Sequence, residues 1–183
     1  ATDCLFTSKL VYECTLPETL EFHDGNPVDS GDVKFSILRA LRLDVAGTST
    51  GLLSALNRID TPDGLTVRFV LSWPDNQFGY ALASQATSIV EQEIWDPDEA
   101  LPFETLPVGS GPYEVTELTA DGVSFRRFEN YLGPKSGLLA GLRLGVLRDS
   151  VAAEAAIKNG SVEAVWRSLD NAALQRVSDE IAS

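Results

Sequence analysis

Methionine is absent from the 183 residues, and histidine occurs once, as His23. A complete reading frame opens with Met, so a chain that begins Ala1-Thr2-Asp3 is expected to be a processed or excised piece of a longer protein. No apolar run approaches the roughly 18 residues that a membrane span needs. The first residues also lack the basic-then-apolar pattern of a signal peptide. Only 14 Lys and Arg stand against 27 Asp and Glu, a net charge of −13. The cations are scattered, with Arg126-Arg127 their one adjacent pair. Nucleic acid and anionic lipid are therefore poor partners, since both are held by clustered cations. The acidity itself reads first as solubility.

The standard catalytic and nucleotide motifs are missing too. There is no GxxxxGK[ST], no GxGxxG after a strand and no GxSxG elbow, and Gly109-Ser110-Gly111 has the wrong spacing for the last. With two cysteines, no CxxC and no Cys/His cluster, a structural zinc site is not expected. Asp96-Pro97-Asp98-Glu99 is only loosely like a calcium loop, lacking its sixth-position Gly and closing Glu. His23 precedes Asp24, but neighbours on a strand end do not aim their side chains at each other, so a catalytic dyad is not expected. No cofactor and no metal are implied, and the chain reads as a non-enzyme.

What is present is the texture of a globular α/β chain, 44% hydrophobic and 22% charged. Leu5–Glu13 reads as strand, polar turn and strand between Cys4 and Cys14. That hairpin can bring the two thiols together, and a short cross-linked loop contributes about 3 kcal/mol in the chain-entropy model. The alternative is two unrelated buried thiols; a lasting bridge implies an oxidising compartment. Strands are expected at Leu10–Leu16, Glu21-Phe22, Thr66–Leu71 with Val67, Phe69 and Leu71 inward, Ser88–Gln92, Tyr113–Leu118, Val123–Phe128, Leu142–Leu147 and Val162–Trp166. Helices are expected from Asp29 or Ser30 to Leu43, at Gly51–Leu56, at Phe78–Ser84, from Asp149 or Ser150 to Lys158, and from Asp170 to about Ile181. Asp96–Pro107 reads as an irregular, solvated connection. Leu142–Trp166 would then be a βαβ unit with two parallel strands, and the natural domain boundary lies near Val108–Pro112.

Trp73, Trp95 and Trp166 read first as core residues. Trp166 differs because it ends an expected strand and is followed by Arg167 and Ser168. Ligands of open α/β sheets bind outside the carboxyl ends of strands, where an indole can stack on a ligand and a guanidinium can pair with it. Trp166, Arg167 and Ser168 are the candidate ligand contacts, against the plainer reading of a core Trp and a surface Arg.

Phe22-His23-Asp24-Gly25-Asn26-Pro27-Val28-Asp29-Ser30-Gly31-Asp32-Val33-Lys34-Phe35-Ser36 resembles the signature of the family 5 extracellular solute-binding proteins, the oligopeptide-, dipeptide- and nickel-binding components of bacterial ABC importers. Further resemblances follow in the family's order, at Asp60–Leu71, Gly109-Ser110-Gly111-Pro112-Tyr113, Phe128–Gly133 and Ala155–Ala164. Pro17, Gly31 and Glu163-Ala164 depart from the pattern. The resemblance implies an incomplete class II periplasmic-binding-protein-like lobe with a mixed sheet. Residues 1–108 would form a family-specific α+β subdomain and 109–183 part of the α/β first lobe, with the ligand-closing second lobe absent. It also implies capture of a peptide or other small solute outside the membrane for an ABC permease, lipid anchoring of the full-length protein, and exposed apolar surface open to cover by a dimer. Alternatives in the same class are an oligosaccharide, a nickel chelate or haem; outside it stand a secreted hydrolase and an adhesion module. A cysteine pair placed like Cys4 and Cys14 is similar to that of some actinobacterial members. Thiol titration of the unfolded, non-reduced chain is expected to find no free thiol; two would refute the bridge.

Overall fold

A two-residue turn at Lys9-Leu10 opens the chain as a hairpin of β1 (Asp3–Ser8) and β2 (Val11–Thr15). The structure is a computed structural model that describes residues 1, 3–45, 48–102, 105–134 and 139–181. The antiparallel register sets Cys4 directly opposite Cys14, with Cα atoms 4.1 Å apart, and the two sulfurs are bonded. The cross-link follows from register, because facing residues of an antiparallel pair are close enough to bridge.

Asp29 ends an extended stretch and caps α1 (Ser30–Leu43). Its Oδ1 accepts the Gly31 and Asp32 N–H groups at 2.7 and 3.1 Å, and Asp32 Oδ2 accepts the Asp29 N–H at 2.9 Å. This reciprocal box satisfies donors that a helix start leaves orphaned. Of the two caps expected, Ser30 is otherwise engaged: its hydroxyl donates to the Asp63 carbonyl at 2.6 Å. A 3₁₀ turn at Thr50–Leu53 replaces the helix expected at 51–56 and leads into β3 (Leu56–Asp60), a strand that the periodicity did not reveal. β4 (Thr66–Leu71) follows an Asp63 turn, whose carboxylate accepts the Leu65 and Thr66 N–H groups and is held below its ordinary range by them.

The first sheet runs β1-β2-β4-β3, antiparallel throughout. Val67, Phe69 and Leu71 of β4 are buried, as the period-two pattern predicts, against Val33 and Ile37 of α1 and Phe78 of α2 (Phe78–Ala81). The strand expected at Ser88–Gln92 is not formed. Side chains of α1 take its main-chain groups instead: Ser36 Oγ accepts the Val90 N–H at 2.9 Å and Asp32 Oδ1 accepts the Gln92 N–H at 3.0 Å. The acidic 96–99 stretch is irregular, yet it is pinned to α1. Arg39 donates to the Asp96 carbonyl at 2.7 Å while lying over the Trp95 ring, and Arg42 pairs with Asp98.

β5 (Tyr113–Thr119), β6 (Gly122–Arg127) and β7 (Gly141–Gly145) form a second sheet in that order. The Arg127 N–H to Ala140 carbonyl and Val146 N–H to Asp121 carbonyl bonds make β6 and β7 antiparallel. By packing, the chain divides into residues 1–118 with 124–142, and 119–123 with 143–183. His23 and Phe128, described below, hold the 109–112 segment to the first unit.

In the second unit, Asp149 caps α3 (Ser150–Lys158), and Asp170 accepts the Ala173 N–H at the start of α4 (Asn171–Ile181). The small residues Ala153, Ala156 and Ala173 are buried with Val177. α3 ends in a left-handed Gly160 (φ 70°), with the Ser161 N–H on the Ala156 carbonyl and the Gly160 N–H on that of Ile157. That is the Schellman arrangement. The parallel strand expected at Val162–Trp166 is not formed, so the βαβ unit is not completed. A strand exists only where a neighbour takes its N–H and C=O groups, and among the described residues no strand is hydrogen-bonded to 162–166.

Glu154 joins the two helices, paired with Arg176 and with Lys158, which also reaches Glu180. Arg176 first, then Lys158, holds its carboxyl down to about 2, against 4.5 ordinarily. A depressed folded value means that the contribution is complete above pH 4.5 and fades as pH falls toward 2. In Glu154→Gln the stability deficit relative to wild type should therefore be largest above pH 4.5 and shrink below it, read by thermal unfolding across that window.

Candidate functional site

Residues Arg143–Leu147 and Ser161–Ser168 of the second unit face one another across a cleft of about 480 Å³. Leu144, Leu147 and Val162 give it apolar wall, and Arg143 and Glu163 give it charge of both signs. Trp166 lies at its edge, 81% exposed. An indole left in water forgoes the burial that makes aromatic side chains dominate cores and interfaces, so it is a ready contact surface. Arg167 adopts a left-handed backbone (φ 56°), sparsely populated for a residue with a Cβ. Its guanidinium lies 5.4 Å from the Trp166 ring centre. Ser168 Oγ donates to the Trp166 carbonyl at 3.0 Å, closing the turn. The structure thus brings the three candidate residues together. Trp166 and Ser168 line the cleft, whereas Arg167 stacks on the indole without lining it. The cleft can stack a flat or apolar group and meet its charges. Of the other indoles, Trp95 lies under Arg39, but Trp73 is half exposed rather than a core residue.

His23 has a different use. Its Nδ1 accepts the Gly109 N–H at 3.3 Å and its Nε2 lies 3.0 Å from the Gly111 carbonyl. A ring nitrogen facing an N–H must be the acceptor, so the hydrogen sits on Nε2 and donates to Gly111. The ring meets Phe128 edge-on at 4.9 Å, and the His23 main-chain N–H donates to the Gly109 carbonyl at 2.7 Å. Asp24 turns instead to Asn26, accepting its main-chain N–H and its Nδ2, each at 3.1 Å. With both ring nitrogens committed to main chain, the pair is no catalytic dyad. Three stretches read separately in the sequence, Phe22–Ser36, Gly109–Tyr113 and Phe128–Gly133, are here one knot. Asn130 adds a bond from its Nδ2 to Glu21 at 2.9 Å, and the Phe128 N–H one to the Pro112 carbonyl.

Two buried acids escaped sequence reasoning. Asp32 is 3% exposed, and burial raises its carboxyl above the ordinary value against the pull of the Asp29 and Gln92 N–H groups. Glu91 is 4% exposed, bonded to Asn26 at 2.7 Å, and is likewise raised by burial and by Asp24. No local pattern marks either as buried. Among the described residues no group of three or more His, Cys, Asp and Glu could hold a metal ion.

The model of the bacterial extracellular solute-binding proteins, family 5, matches residues 6–182. The chain belongs to this family. Its fold is that of solved family 5 structures. NikZ of Campylobacter jejuni, in complex with Ni(L-His), superposes with a TM-score of 0.76 at 23% identity, over 88% of this chain and 33% of that one. AppA of Bacillus subtilis, in complex with a nonapeptide, gives 0.74 at 25% identity, over 87% and 33%. Among curated relatives, the HTH-type transcriptional regulator SgrR of Photorhabdus laumondii is 32% identical over 119 residues, 64% of this chain and 20% of its own length. The probable D,D-dipeptide-binding periplasmic protein DdpA of Escherichia coli is 36% identical over 103 residues, 54% of this chain and 20% of that protein. This family 5 chain thus spans about a third of those structures and a fifth of those relatives.

His23→Ala leaves the partly buried Gly109 N–H and Gly111 carbonyl without their partners. A loss of about 1–3 kcal/mol is expected, measured by urea unfolding.

Proposed function

We propose that this chain is part of the solute-binding component of an ABC-type importer, which captures peptides outside the membrane and delivers them to a permease. The observation that carries the reading is the family match over residues 6–182. The Cys4–Cys14 bridge supports an extracytoplasmic setting, because such bonds last where the surroundings oxidise; in the full-length protein we add a lipid anchor. Peptide is preferred as ligand because AppA, of 25% identity, holds a nonapeptide and DdpA is named for a dipeptide. An oligosaccharide stacked on Trp166, a nickel chelate or haem is the alternative within the class. Binding rather than catalysis fits a His23 whose ring is fully engaged by main chain, and it weighs against a secreted hydrolase. A second reading, the effector domain of a regulator, draws on the SgrR identity. A DNA-binding regulator works where thiols stay reduced, so the bridge favours the importer.

In this reading the Trp166–Ser168 edge offers stacking and polar contacts to one side of the ligand, and a second lobe closes over the other. Leu144, Val146, Val151 and Leu174 are exposed on the same unit; they are surface for the remaining length of the protein, or a second copy, to cover. Half of a two-sided pocket binds weakly. Calorimetry of this chain with di- to pentapeptides is expected to show no micromolar binding. The full-length protein should bind, and Trp166→Ala in it should weaken binding about tenfold or more, the loss of a desolvated aromatic contact. Unchanged affinity in that variant would remove the cleft from the site.

A further inference from the structure

Glu91 poses a problem of charge. It is 4% exposed, on a segment whose Val90 and Gln92 are bonded to α1. Oε1 accepts from Asn26 Nδ2 at 2.7 Å, but Oε2 is buried and has no hydrogen-bond partner. A buried carboxylate oxygen with nothing to accept is costly. The Asn26 amide nitrogen that bonds Glu91 Oε1 also donates to Asp24 Oδ2 at 3.1 Å, so the two carboxyls are gathered on one nitrogen. One neutral amide does not offset two charges. The other charged group that bears on Glu91 is Glu93, which also bears on Asp32 beside Asp29 at the start of α1. The remaining titratable group of the turn, His23, is bonded to Gly109 and Gly111. Among the described residues neither Asp24 nor Glu91 has a basic partner.

We propose that Asp24 and Glu91 hold a single proton between them, and that this shared proton latches the 22–27 turn to the 88–92 segment. The proton resides on Glu91 Oε2 and is donated to Asp24, which turns the orphan oxygen into a satisfied donor. The remaining negative charge stays on exposed Asp24, where water and the Asn26 N–H groups solvate it. Two like carboxyls held on one amide nitrogen, one of them buried, cannot both ionise cheaply, so one keeps its proton. Burial, then Asp24, raises the Glu91 carboxyl above its ordinary 4.5. A raised folded value means that the latch contributes fully below pH 4.5 and is lost as pH rises through that folded value. The same turn carries His23, so the latch also steadies the anchor for Gly109 and Gly111.

The test is a side-chain carboxyl titration of the whole chain by ¹³C NMR, with thermal unfolding of two variants. The Glu91 midpoint should lie above 4.5. In Asp24→Asn it should fall toward that ordinary value, because the new amide donates to an ionised Glu91. Glu91→Gln carries a permanent donor, so it should lose the wild-type decline in Tm with rising pH. A Glu91 midpoint at the ordinary value in wild type, or one unmoved in Asp24→Asn, would overturn the proposal. So would calcium chloride that raises the neutral-pH Tm of wild type but not of Glu91→Gln, since the pair would then be a cation site.

Discussion

The first turn of α1 is the point on which the first unit depends. Asp32 is almost fully buried, yet its carboxylate serves two remote main-chain donors, the Asp29 N–H within the cap and the Gln92 N–H of a distant segment. Ser30 ties the same turn to the Asp63 carbonyl before β4, and Ser36, one turn further on, holds Val90. Burying the charge is costly and raises the carboxyl; the cost is offset by the two N–H donors and by the positive end of the helix. Without that polar brace, the Val90 and Gln92 N–H groups would lose the side-chain oxygens that take them.

Packing of the sheet and packing of the turns serve different ends. Val67, Phe69 and Leu71 of β4 against Val33 and Ile37 of α1 supply a conventional apolar core. The turns around it are held by side-chain to main-chain bonds: Asp29, Asp32, Ser30, Ser36 and His23 each satisfy a group in another stretch of chain or in a helix start. Buried main-chain groups must be paired, and where no strand is available a side chain is the remaining partner. Several of the family-matching residues, among them His23, Asp29, Ser30, Asp32 and Ser36, hold loops in place in this way.

The second unit shows the opposite economy. α3 and α4 bury little beyond alanines and Val177, with the Glu154 ion network bridging them, and a tryptophan, two leucines and two valines of this unit stay in water. In the proposed reading, this is the surface that a ligand or further protein covers. Arg167 keeps its left-handed backbone beside the exposed Trp166.

Local patterning by itself determined much of this protein. Period-two burial defined β4, helical spacing defined α1 and α3, and the short connection between the expected strands Tyr113–Leu118 and Val123–Phe128 defined the β5–β6 hairpin. The ordered motifs placed the chain in its family. Each of these is a signal in which the residue and its consequence lie within a few positions of one another. Tertiary structure alone decided the rest. β3 formed beside β4 where no strand was expected, and 88–92 and 162–166 stayed irregular because no neighbouring strand received them. Asp29 rather than Ser30 became the cap because Asp63 was there to take the serine. Asp24, Asn26 and Glu91 met across a sequence separation that no periodicity encodes. A strand, a buried acid and a shared proton all depend on a partner, and the partner's position is a property of the fold.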